Sequence, residues 1–431
     1  MPGDPLPPYD SLTNPPPDYN REPLQDEQTL ASTPRPGLVR RQSTNLVKCF
    51  KEVIVIFTDQ EENTSLPTYS RGATIDGEIG LACPERILEV SIKLYGQMSL
   101  MAADWGSAGA TLVSEKQTLW TCRTESDENH APCPSIIPFA IRIPYTYTTP
   151  EGKTTRMPPS FEASLFGIPA FFAKCTYTLS IAITKMRRYR FASWTVSKTF
   201  NITLNYRPRT RPQRPFIVLD TVLGSLKPVP EEWLQITATM ETRLGSSGKP
   251  LLCHLLIPSV QTFAITDPIP FHVQLSGSLS SFQELLPPDS VLLNPAKKRS
   301  NTKDPHYYSS FPTPDSESVR VRIVRQIVAE INGRTRIRTL IIGTGKLHPV
   351  PPAIADVHVP DDMSTDWQGE VTCLDSVTCG GFNAHGLSVK DYLVLDLAPP
   401  RPSFLLPLQI SQHIRLVTDS WTEETRHPQD V

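Results

Sequence analysis

Several groupings in this 431-residue chain have the residue types for chemistry, and most are incomplete. Cys373, Cys379 and His385, in CLDSVTCGGFNAH, offer two thiols and an imidazole, the ligand types of zinc. Their spacing lacks the paired-cysteine knuckles of a structural zinc site, so they read as buried thiols and no metal is expected. Gly343-Thr344-Gly345-Lys346 has the lysine of a phosphate loop without the full glycine spacing or the hydroxyl residue that follows it. Neither a nucleophile elbow nor a metalloprotease pattern occurs. No catalytic residue and no cofactor is assigned, and an enzyme is not expected.

The grouping that is complete recognises rather than reacts. Pro16-Pro17-Asp18-Tyr19 is a PPxY motif, and Leu6-Pro7-Pro8-Tyr9 fits the related LPxY form. Consecutive prolines pre-set polyproline II geometry, so docking into an aromatic-lined groove costs little entropy. The tyrosine, one turn on, fills a second pocket, and a WW domain offers both sites. The two tyrosines are ten residues apart, a flexible span of roughly 18 Å, which allows tandem WW domains to bind with an avidity gain of about a hundredfold. Chance in a proline-rich tail is the plainer alternative. A third tetrapeptide, Leu66-Pro67-Thr68-Tyr69, reads as part of a strand edge.

Arg40-Arg41-Gln42-Ser43 suits a basophilic kinase, and phosphate on Ser43 would add about two negative charges beside the folded body. Short basic-serine strings are also common without modification. Arginines recur at spacings expected to face outward: Arg320, Arg322 and Arg325, then Arg334, Arg336 and Arg338, and separately Lys185, Arg187, Arg188 and Arg190. Aligned, they would form a basic face for acidic or phosphorylated protein tails or anionic lipid heads. The alternative is a solvated sheet face balanced by carboxylates.

What must position these residues is legible in the pattern. Leu88, Val90, Ile92 and Leu94 alternate with Glu89, Ser91 and Lys93; the apolar period recurs at Ile137, Phe139, Ile141 and Ile143, then Tyr177, Leu179, Ile181 and Ile183, then Phe200, Ile202, Leu204 and Tyr206, with polar residues in the gaps of the last set. That period of two marks half-buried strands, and no long helical stripe competes with it. Forty-four prolines, about twice ordinary usage, also argue against long helices. Many strands with Gly- and Pro-bearing turns indicate antiparallel sandwiches.

Residues 1–47 hold ten of those prolines and few large aliphatic side chains, so they are expected to be a disordered tail. A first β-sandwich is expected over 48–206. RPRTRPQRP (207–215) reads as a linker or edge connection, followed by a second sandwich over 216–422 and a short tail, 423–431. NPAKKRSNTKDPHYYSSFPTPDSES (294–318) is expected to be a mobile loop. The net charge of −2 gives no overall pull toward nucleic acid. No apolar run approaches the roughly 20 residues of a membrane helix. Eight scattered cysteines fit reduced thiols in the cytosol.

In order and spacing, YSRGATIDGEIGL (69–81), IPFAIRIP (137–144), MPPSFEA (157–163), CTYTLSIAITK (175–185) and TFNITLNYRPRTRPQRP (199–215) resemble an arrestin N-terminal domain. ITDPIPFHVQLSG (265–277), VRIVRQIVAEING (321–333) and GLSVKDYLVLDL (386–397) resemble the C-terminal domain of fungal α-arrestin-like proteins. The resemblance covers roughly 48–422. It implies an all-β chain of two tandem immunoglobulin-like sandwiches, without enzymatic activity. It further implies a cytosolic adaptor linking transporters or receptors to a WW-domain HECT ubiquitin ligase for ubiquitylation and endocytosis, recruited peripherally to the plasma membrane or endosomes. Pro16, Pro17 and Tyr19, helped by Leu6, Pro7 and Tyr9, would hold the ligase, and Lys48 and Lys51 could themselves be modified. A ligase-independent trafficking or signalling scaffold of the same fold is the alternative. Two features depart from the family: a phosphate-sensing polar core is not identifiable, and the proline motifs precede the sandwiches where many members carry them afterwards.

Overall fold

The alternation seen in the sequence becomes strand after strand. The computed structural model describes residues 27–29, 44–61, 64–122, 132–167, 169–189, 192–216, 222–226, 228–286, 318–350, 363–400 and 402–421. The first half contains β1 (Glu27–Thr29), β2 (Thr44–Cys49), β3 (Val53–Gln60), β4 (Thr68–Tyr69), β5 (Thr74–Leu81), β6 (Ile87–Ala102) and β7 (Gly106–Thr121). It continues with β8 (Ile136–Arg142), β9 (Thr146–Thr148), β10 (Thr154–Arg156), β11 (Phe161–Leu165), β12 (Phe171–Tyr189), β13 (Ala192–Tyr206) and β14 (Thr210–Pro212). The second half contains β15 (Trp233–Met240), β16 (Leu251–Pro258), β17 (Thr262–Ala264), β18 (Ile269–Gly277) and β19 (Val319–Ile331). It ends with β20 (Arg334–Val350), β21 (Met363–Cys373), β22 (Phe382–Ala384), β23 (Leu387–Leu397) and β24 (Leu408–Val417). Two short helices, α1 (Val222–Leu226) and α2 (Leu279–Leu285), accompany it, the second capped by the Ser278 side chain. The fold is all-β.

A four-stranded sheet, β2-β3-β5-β8, and a six-stranded sheet running β4-β13-β12-β6-β7, with β11 beside β12, share the first core. Ile92, Leu94, Leu179 and Ile181, which the alternation selects, share this core with Val55, Phe57, Ile75 and Ile79, all buried. Each such side chain stabilises the fold by about 1.5–3 kcal/mol when fully buried. Glu52, on the turn after β2, closes one end of this core by ion pairs to Lys185 (2.8 Å) and Lys198 (2.7 Å) on the opposite sheet. Its side-chain hydrogen bonds to those lysines, Lys185 first, lower its pKa to about 2.

The second core is enclosed by ten strands in one hydrogen-bonded path, β15-β16-β18-β21-β20-β19-β23-β24-β17 with β22 beside β23. A bulge in the β19–β20 pairing, between Ile323 and Val324, gives this sheet a place to bend.

The cores do not divide at the expected 206/216 boundaries. Val319, Val321 and Ile323 of β19 belong to the second core, while Ile327, Ala329 and Ile331 of the same strand belong to the first. Strand β23 repeats this, with Leu393, Leu395 and Leu397 in the second core and Leu387 and Val389 in the first. At about 3.3 Å per residue a 13-residue strand reaches roughly 43 Å, long enough to serve both.

Two further departures concern the ends of the first half. Part of the expected tail is paired: residues 27–29 form β1, and β2 begins at Thr44, where Leu46 supplies an inward side chain against the first core. The expected linker contains a strand, β14, with Thr210 and Pro212 buried. The expected mobile loop, 294–318, lies outside the described residues apart from Ser318, which is buried and leads into β19.

Candidate functional site

The predicted recognition residues Leu6, Pro7, Tyr9, Pro16, Pro17 and Tyr19, and the predicted phosphosite Ser43, lie outside the described residues. The third tetrapeptide ends in the core: Tyr69 is buried in β4, which pairs with β13. Burial, reinforced by the nearby Asp76, raises the pKa of its phenol well above the ordinary value. A tyrosine held there cannot insert into a partner's pocket.

The predicted arginine face is not one surface. Arg322 pairs with Asp396, its Nε donating to Oδ2 at 3.0 Å, and Gln409 donates to the other carboxylate oxygen. Arg320 is half-buried, and its Nε finds no hydrogen-bond partner among the described residues. Arg325 is not outward at all. It is 4% exposed, and its Nε and Nη2 donate to the two oxygens of Asp391 at 2.7 and 3.0 Å while Nη2 also reaches the Cys379 carbonyl at 2.8 Å. Burial pulls this guanidinium's pKa down, but the charge and hydrogen bonds of Asp391 outweigh it, and the net direction is up. The correction follows from parity: on a strand of period two, residue 325 faces opposite to 320 and 322.

Arg325 and Asp391 are direct cross-strand partners on β19 and β23. They lie between the segments of those strands that feed the first core and those that feed the second. A bidentate pair thus occupies the seam.

The β20 arginines are used in joining the halves. Arg336 pairs with Asp104 and lies 3.9 Å from the Trp105 ring centroid; Arg334 is 5.9 Å from the same ring. Arg338 donates to the Pro169 carbonyl at 3.1 Å. The turn that brings them there is Asn332-Gly333, both at positive φ (51° and 71°), the primed geometry that tight hairpins prefer. Asn332 itself donates to the Trp105 carbonyl at 2.8 Å. Far from this contact, Arg187 is exposed near the end of β12, where it pairs across strands with Trp194; Arg188 is registered against Ser193.

Cys379 is buried and its thiol is pushed up by desolvation; burial also raises Cys373 to about 11. The His385 amide donates to the Tyr147 hydroxyl at 2.8 Å. Among the described residues no group of three or more His, Cys, Asp or Glu side chains could hold a metal ion. Gly343 and Gly345 lie within β20, and a Cβ at Gly343 would come 2.5 Å from the Thr372 carbonyl oxygen. Close packing explains that glycine.

Two features of the region between the halves are absent from the sequence expectations. One is a cleft of about 230 Å³ lined by Arg71, Arg156 and Arg415 together with Thr210, Gly380 and Phe382, with no described carboxylate in its wall. Its arginines come from three distant segments, so no local motif announces it. The other is the pairing of β1 with β14, in the register Glu27 to Pro212, Gln28 to Arg211 and Thr29 to Thr210. No family model matches the chain, and no curated protein shows significant similarity to it.

Proposed function

We propose that this chain is a non-catalytic adaptor of the arrestin type. Its two-core body holds a cytosolic segment of a membrane protein, a transporter or receptor, while the N-terminal motifs recruit a WW-domain HECT ubiquitin ligase. The tandem-sandwich reading of the body, the cytoplasmic location and peripheral membrane recruitment belong to the same proposal. The observation that carries it is two proline–tyrosine motifs, ending at Tyr9 and Tyr19, joined to a large all-β body. The strands shared between the cores favour it, because a rigid double body can fix the distance between what it holds and what the tail brings.

The test is capture of a tandem-WW ligase fragment by the full chain. Tyr9→Ala with Tyr19→Ala is expected to abolish capture, and each single substitution to weaken it by about tenfold or more as avidity is lost. Unchanged capture by the double variant would end the ligase reading. Ubiquitin conjugates on the bound membrane protein separate this function from a ligase-independent scaffold, which predicts no change in them when the chain is removed.

A further inference from the structure

We propose that the open edge of β20, from Thr335 to Ile341, is a strand-acceptor site. Its guest is an extended segment of a partner protein, apolar at alternate positions with an acidic residue between them. Identifying that partner as the adaptor's cargo rests on the function proposed above; the acceptor site itself does not.

Strand β20 is flanked unevenly. β19 pairs with it from Arg334 to Thr344, but β21 pairs with it only from Gly343 to Val350. On the β21 side the Leu374 amide still reaches the Ile342 carbonyl, at 2.8 Å. Past that bond the chain turns inward, where Val377 joins the second core and the Cys379 carbonyl meets Arg325. Among the described residues no strand continues the line that β21 leaves.

The hairpin fixes which groups face this vacancy. In a two-residue turn the closing pair, here Ile331 with Arg334, exchanges its backbone bonds. Alternation then sends the N–H and C=O of Thr335, Ile337, Thr339 and Ile341 to the open side. Two bonds agree with that assignment. The Glu330 amide, opposite Thr335, turns away from β20 to the Gly386 carbonyl at 2.8 Å. The Ile337 carbonyl accepts a long bond, 3.4 Å, from Nη1 of the neighbouring Arg338 in place of a strand.

Side chains select the guest. On the outer face Ile337 and Ile341 are 51% and 47% exposed, and Leu374, at the mouth of the vacancy, is 52% exposed. Val328 and Val324 stand across from the two isoleucines on β19 and extend the apolar surface. Guest residues opposite Ile337, Thr339 and Ile341 share that face, which favours apolar side chains there. The other face carries charge. Arg338 donates to the carbonyls of Pro169 and Ile337 and, among the described residues, to no carboxylate. The guest residue opposite it lies on the same face, where Asp or Glu completes an ion pair. An exposed edge of this length is a template for pairing, and an added strand obtains its backbone bonds whatever its sequence.

The experiment uses the full chain and the peptide Val-Ser-Val-Glu-Val-Thr-Ser, labelled with fluorescein at its C-terminus. Antiparallel pairing sets its glutamate opposite Arg338 and its valines opposite Ile341, Thr339 and Ile337. Fluorescence anisotropy is expected to show it binding the unaltered chain. N-methylation of the three valines, whose amides face β20, is expected to weaken binding at least about tenfold, and N-methylation of the glutamate, whose amide faces away, by less than about threefold. Replacing the glutamate by lysine is expected to weaken it at least about fivefold. Thr339→Pro removes an outward amide and spares the bonds to β19, while Ile337→Lys puts charge on the open face; each is expected to weaken binding at least about tenfold. In the unaltered chain without peptide, the Ile337 and Thr339 amides are expected to exchange fast and those of Arg336 and Arg338 slowly, and the peptide to slow the first two. Absence of binding, equal binding of the two N-methylated peptides, or indifference to the glutamate's charge overturns the proposal, as does full binding by Ile337→Lys. Slow exchange at Ile337 and Thr339 without peptide also overturns it, because the edge is then filled by the chain itself or, where light scattering shows a dimer, by a second copy. Failure of WW capture by the tyrosine motifs would leave these outcomes untouched, so the two readings fail separately.

Discussion

Arg325 and Asp391 show what a single residue decides here. Two opposite charges, 4% and 1% exposed, meet in bidentate geometry at the seam of two apolar cores. Taking such ions out of water is costly, and a buried pair is tolerated only when its hydrogen bonds are complete. Asp391→Asn leaves the guanidinium buried without a counter-charge, and the expected loss is about 3–5 kcal/mol, read as a shift of the urea midpoint at unchanged slope. Replacing both partners together, Arg325→Met with Asp391→Leu, is expected to restore most of that loss, because the penalty belongs to the orphaned charge. A double variant as unstable as the single one would mean that the pair acts through the Cys379 carbonyl it holds rather than by charge balance. The sequence hid this residue for a simple reason. Arg320, Arg322 and Arg325 look like one basic run, yet a period of two turns the third to the opposite face.

Strands and the loops that touch them set the next scale. Ile137, Phe139, Ile141 and Ile143 are all buried, as are Tyr177, Leu179, Ile181 and Ile183, so the alternation identified both the strands and their inward faces. Local periodicity carries that much because half-burial is a local demand. It carries nothing about which distant segment meets which. The segment between β21 and β23 illustrates the gap: read as buried thiols and a histidine, it is one of the parts of the second half that reach across to the first. Phe382 stacks edge-on to Phe161 at 5.2 Å, and the His385 amide is bonded to Tyr147. The segment follows this course because Gly380 and Gly381 let it lie against neighbouring backbone. A Cβ on Gly380 would be 1.7 Å from the Leu416 carbonyl oxygen, and one on Gly381 2.7 Å from that of Val389. Gly380→Ala must therefore displace the loop, at an expected cost of about 1–3 kcal/mol. Hydrogen exchange at the His385 amide checks the mechanism: it should speed up in the variant while amides of β18 keep their protection. Uniform loss of protection would place the strain in the core instead.

At the scale of the whole molecule, the two halves are joined by structure that neither could supply alone. RPRTRPQRP (207–215) reads as a linker or edge connection between two sandwiches. Sequence gives no sign that β19 and β23 would each run through two cores, since their apolar alternation continues unbroken past the seam except at Arg325 and Asp391 themselves. The consequence is cooperative. Opening the second core withdraws Ile327, Ala329, Ile331, Leu387 and Val389 from the first, and opening the first strands those residues in water. Multidomain chains commonly unfold in steps. This one is expected to give a single calorimetric transition, with the calorimetric and van't Hoff enthalpies equal. The complementary measurement is on a fragment of residues 44–216, which retains both sheets of the first core but lacks the five side chains supplied from outside. It is expected to bind a dye for exposed apolar surface and to show no sharp transition. Two resolved transitions in the full chain, or a fragment that melts cooperatively, would show the cores to be independent and would remove the fixed spacing on which the proposed adaptor function depends.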